Sequence, residues 1–142
     1  MEPLSVTASL IAILQLSTKV VGYLNDVNDA SKDRAKCMIE ATNLNSLLTS
    51  LRFRVEEVGS NTPWYTSVRG LAVENGPLMQ FKQALEELQD KMTGVEGGRG
   101  RKARKIRNAL IWKFKKEEIA SILARMERLK GLVQVALEMD HL

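Results

Sequence analysis

Apolar residues recur at steps of three and four along most of this chain, the spacing of helices with one buried face. In the first stretch Leu10, Ile13, Leu14, Val20, Val21 and Leu24 keep that spacing and predict a helix from about Leu4 to Leu24. The polar run 25–31 reads as a turn, with Ser31 or Asp29 placed to cap a second helix over Lys32 to Val58. Met38, Ala41, Leu44, Leu48, Leu51 and Val55 form its stripe, and Gly59-Ser60-Asn61 ends it. Thr62 followed by Pro63 is an N-cap with proline at the first helical position, predicting a short helix from Trp64 to about Leu71. Asn75-Gly76-Pro77 stops and restarts the chain, giving a helix from Pro77 to Met92 with Leu78, Phe81, Leu85, Leu88 and Met92 buried. The glycine-rich segment at about 93–100 is the one flexible linker. Beyond it a basic helix is expected from Arg101 to Phe114, then a last helix from about Lys116 to Asp140. No strand-like alternation competes, so the expected fold is an all-α helical bundle of four main helices plus one or two short ones. No Gly or Pro follows Asp140 to stop the last helix, so residues 1–142 are expected to form a single domain at the front of a longer protein.

The first helix is also long enough for another environment. From Pro3 to Asn25 the only charged side chain is Lys19, and a helix of 23 residues is roughly 35 Å long, enough for a hydrocarbon core of about 30 Å. Neither usual targeting signal fits. The start Met1-Glu2-Pro3 has no positive n-region, Ser and Thr interrupt the apolar run, and no Arg precedes Arg34. Ser5, Thr7, Ser9, Gln15, Ser17 and Thr18 make a permanent span too polar. The expectation is a bundle helix at rest that enters a membrane under some condition, through Leu4, Val6, Leu10, Ile11, Ile13, Leu14, Leu16, Val20, Val21 and Leu24.

Charge adds a second feature. Arg99, Arg101, Lys102, Arg104, Lys105, Arg107, Lys113, Lys115 and Lys116 fall in one stretch without an acid; without these nine the chain's net charge of +4 becomes −5. Such a block contacts polyanions or solvates a flexible segment. With Ile106, Leu110, Ile111, Trp112 and Phe114 interleaved, the stretch has the composition of an interfacial helix, and anionic lipid is the expected contact. Trp112 and Phe114 are either interfacial aromatics or core, a choice the sequence leaves open. Nucleic acid is not the expected partner, because no base-reading element accompanies the block.

Chemistry is missing from the pattern. There is no phosphate-cradling GxxxxGK[ST], no Gly-x-Ser-x-Gly elbow, and no Cys or Ser with a plausible partner in the one histidine, His141. No His/Cys cluster suits a metal, and the single Cys37 allows no internal disulfide, which fits a reducing intracellular compartment. No catalytic residue, cofactor or metal is expected.

Six segments together resemble a known family: 1–9 (MEPLSVTAS), 64–69 (WYTSVR), 73–78 (VENGPL), 109–114 (ALIWKF), 125–130 (RMERLK) and 136–140 (ALEMD). The chain resembles the N-terminal HeLo-like helical domain of fungal NOD-like receptors of the STAND class. The resemblance covers nearly the whole chain, and its motifs are helix-packing patterns rather than a catalytic signature. It implies a module of programmed cell death in heterokaryon incompatibility or innate immunity, ahead of NACHT or NB-ARC and repeat modules in cis. Such a module is expected to be cytoplasmic at rest and at the plasma membrane on activation. It would oligomerise and disrupt the membrane through its first helix, as a pore-former does. The alternative is a soluble homotypic or heterotypic signalling domain with no membrane activity.

Overall fold

A short polar turn is all that separates the first two helices, so they fold back on each other as an antiparallel pair. The computed structural model describes residues 3–58, 61–94 and 110–139. Its helices are α1 (Pro3–Asp26), α2 (Lys32–Val58), α3 (Pro63–Arg69), α4 (Pro77–Thr93) and α5 (Lys116–Met139), with one 3-10 turn at Gly70–Ala72 after α3. The protein is an all-α helical bundle, and no strand occurs among the described residues.

Local chemistry sets the helix ends. The Ser31 hydroxyl accepts from the Arg34 backbone N–H at 3.2 Å, while the Asp29 carboxylate accepts from the Ser31 N–H at 2.8 Å. Both residues named by the sequence therefore serve the start of α2, Ser31 as the cap and Asp29 as its brace. At α3, Thr62 Oγ1 accepts from the Tyr65 N–H at 3.1 Å, with Pro63 opening the helix. Asn75 takes a left-handed φ of 62° before α4, and a Cβ on Gly76 would sit 2.9 Å from both Cγ2 and the carbonyl oxygen of Val73. Only glycine fits that turn. Gly94 closes α4 in the left-handed region at φ 75°, its N–H donating to Asp90 O.

The long helices surround one core. α1 packs against α2 and α4, α5 packs against the same two, and α1 and α5 face each other across the centre. On the α4–α5 seam Glu87 pairs with Arg125 and Lys91 with Glu118, so the two helices run antiparallel. α3 and the 3-10 turn cross one end and let the chain pass from α2 to α4. Tyr65, Phe81, Leu44, Leu48, Leu88, Met92 and Ile122 are among the largest fully buried side chains.

One predicted element is corrected. Leu110 to Lys115 is not helical, so the basic helix expected from Arg101 to Phe114 does not reach Phe114. The Ile111 N–H is spent on Met92 O, at the end of α4, at 2.9 Å. Beyond it Trp112 and Phe114 are half-buried while Lys113 and Lys115 are exposed, the two-residue alternation of an extended chain. The remainder of that helix, most of the linker, the predicted stop at Gly59-Ser60 and the last residue of the final helix lie outside the described residues.

Candidate membrane-active surface

α1 is the helix that meets the length and composition of a membrane span among the described residues: Val6–Asp26 has a mean hydropathy of 1.4, and only 28% of it is buried in the bundle. Of the predicted inserting positions, Val6, Leu10, Ile13, Val20 and Leu24 are buried, whereas Ile11, Leu14, Leu16 and Val21 are half-buried. The side chain of Leu4 lies outside the described residues. Ala8, Ala12, Gln15, Thr18, Lys19 and Gly22 form the solvent side, nearly uncharged.

The buried stripe holds a defect. Ser17 is 0% exposed, and its hydroxyl has no hydrogen-bond partner among the described residues. An unpaired buried hydroxyl costs on the order of 1–3 kcal/mol. Nearby, α1, the 3-10 turn and α4 leave an apolar hollow of about 110 Å³, lined by Ser9, Ile13, Ala72, Leu78 and Lys82 among others.

The helices differ in how they are held. α5 is tied to α4 by a two-pronged Arg125–Glu87 bond at 3.0 and 2.9 Å and by Lys91–Glu118 at 2.7 Å. It is tied to α2 by Lys130–Glu40 at 3.0 Å. No ion pair among the described residues joins α1 to the bundle; Arg34 Nη1 donates to Leu24 O at 2.9 Å, and the rest is apolar packing. Burying five large aliphatic side chains at about 1.5–3 kcal/mol each is worth on the order of 10 kcal/mol, comparable with the whole stability of a domain. That keeps α1 in place in water. It is also the kind of contact that acyl chains reproduce, because apolar attraction is non-directional.

Of the basic block, Lys113, Lys115 and Lys116 are exposed, while Arg99, Arg101, Lys102, Arg104, Lys105 and Arg107 lie outside the described residues. Trp112 and Phe114 pack on the core with ring centroids 4.5 Å apart, and Lys91 Nζ sits 5.8 Å from the Phe114 ring centroid. Glu118 then anchors the start of α5: its carboxylate accepts from the Lys115 backbone N–H at 2.8 Å and from Lys91, and these bonds hold its carboxyl below the usual range. This is the reach-back half of a capping box, legible in sequence as a Glu three residues inside the helix. The surface therefore carries two separate features, the apolar helix α1 and an extended segment with exposed lysines beside the end of α4.

Comparison with protein-family models, with curated proteins and with solved structures gave no match. Among the described residues no group of three or more His, Cys, Asp or Glu is placed to hold a metal ion.

Proposed function

We propose that this domain is a HeLo-like effector of cell death that self-associates and disrupts an anionic membrane through α1. The observation that carries the reading is the asymmetric attachment of the helices: ion pairs clamp α5, whereas apolar packing around an unpaired Ser17 holds α1. A bilayer offers α1 the same apolar contacts that the bundle does, so release costs little once lipid is at hand. Lys113, Lys115 and Lys116, with the arginines and lysines before them, bring the domain to anionic headgroups at about 1 kcal/mol per residue. Lys19 reaches the headgroup level by extending its stem along the helix. The family resemblance supplies the context: a front module of a fungal NOD-like receptor, cytoplasmic at rest and at the plasma membrane on activation.

Vesicles with entrapped dye test it. Anionic vesicles are expected to bind the protein and leak, and neutral ones to do neither; absence of binding and leakage with anionic vesicles overturns the proposal. A second reading, a soluble signalling domain, draws support from the exposed apolar side chains Ile39 and Phe53 on α2, which suit a protein partner. It predicts no vesicle response at any lipid charge.

A further inference from the structure

We infer that two copies of this chain pair through the outer face of α2, antiparallel and about a two-fold axis at Ser46. The inference deepens the self-association half of the proposed function and names its surface. Between Glu40 and Arg52 the sequence of α2 holds no charged residue, in a chain that is 27% charged. Its exposed positions form one continuous outer face: Ile39, Thr42, Asn43, then Ser46, then Thr49, Ser50 and Phe53. Ile39 is 55% exposed and Phe53 63%, the two most exposed large apolar side chains among the described residues.

The face is self-complementary. Ile39 and Phe53 stand equally far before and after Ser46, at opposite ends of a stretch about 21 Å long. A two-fold contact requires that residue i meet j while j meets i. Antiparallel pairing at Ser46 sets each Phe53 against the other copy's Ile39, with small hydroxyl and amide side chains between, which lets the helices approach. Charges flank the face in matching order. Lys36 lies just beyond Ile39 and Glu57, which also pairs with Arg54 of its own helix at 3.1 Å, just beyond Phe53, so each Lys36 meets the other copy's Glu57. Parallel pairing would instead oppose like charges. The surface is hollowed at its Phe53 end, where a depression of about 410 Å³ runs beside Ser50, Phe53 and Leu137. One helix face falls short of the ~1,200 Å² that a stable interface buries, so the pairing is weak and grows with local concentration.

Cysteine scanning of the full chain tests both the surface and the register. Cys37 is buried and does not compete. Mild oxidation of Ser46→Cys at high protein concentration should give a disulfide dimer as the main product, since facing Cα atoms at a helix crossing fall within disulfide reach. Ile39→Cys and Phe53→Cys should each stay monomeric alone and cross-link when mixed. Cross-linking of Ile39→Cys with itself, or no cross-linking at Ser46→Cys, overturns the inference. Dye leakage by the unsubstituted protein is read in parallel. Leakage without cross-linking removes the α2 pairing and leaves the membrane reading standing, whereas cross-linking without leakage does the reverse.

Discussion

The indole Nε1 of Trp64, in α3, donates a 2.7 Å hydrogen bond to the carbonyl oxygen of Ala136 in the last turn of α5. The bond ties α3 to the end of α5 across 72 residues of sequence. Trp64→Phe keeps the ring packing and removes the donor. It should lower stability by about 1 kcal/mol, or roughly 3 °C in melting temperature. Amide exchange should rise in the last turn of α5 and stay unchanged in α1.

Ser17→Ala should act in the opposite direction. Removing an unpaired, fully buried hydroxyl should raise the urea midpoint by the equivalent of about 1 kcal/mol. If α1 is the membrane-active helix, the same substitution slows dye leakage, because a tighter bundle releases α1 less often. A variant that is more stable and equally fast would separate leakage from α1 release.

Lys113 and Lys115 are both exposed and alternate with the packed rings of Trp112 and Phe114. Changing both to Gln should leave stability within about 0.5 kcal/mol. Affinity for anionic vesicles should fall by about 2 kcal/mol, roughly 30-fold at low salt. Vesicle co-sedimentation measures this, and unchanged affinity would remove these two lysines from the docking surface.

The Glu118 carboxyl is held below its ordinary range by the Lys91 side chain and the Lys115 backbone N–H, and that of Asp29 by the side-chain and backbone donors of Ser31. A depressed folded-state value means that the charged form stabilises the fold. That stability is complete above the ordinary carboxyl range and is lost as pH falls through the folded value. Lys130 has the opposite sign: Glu40 and Glu127 raise its value, so its contribution is complete below its ordinary range and is lost at strongly alkaline pH. Glu118→Gln should therefore lower the melting temperature at pH 7 and flatten its fall on acidification. Parallel melting curves against pH would refute this.

Burial pushes the Cys37 thiol up to about 12. A thiol so placed stays protonated and shielded near neutrality. Reaction with a disulfide reagent at pH 8 should wait for unfolding and match its rate; immediate labelling of the native protein would contradict the burial of Cys37.

Much of this fold is written in the sequence, because helices and their caps depend on near neighbours. The bounds of α2, the Ser31 and Thr62 caps, the Gly76-Pro77 restart and the stripe of α4 all follow from spacing and from residues a few positions apart. The conformation before α5 does not. Helical composition predicted a basic helix through Phe114, but Ile111 bonds back to Met92 and the chain runs extended, with the alternation Trp112, Lys113, Phe114, Lys115 as the local sign of it. For α1 the sequence supplied length and apolarity, properties that a core helix and a membrane helix share. Only the packing of four helices around one core decided which face of α1 is buried, left Ser17 without a partner and sent the ion pairs to α5. Those outcomes depend on side chains brought together from distant parts of the chain, which no local pattern encodes.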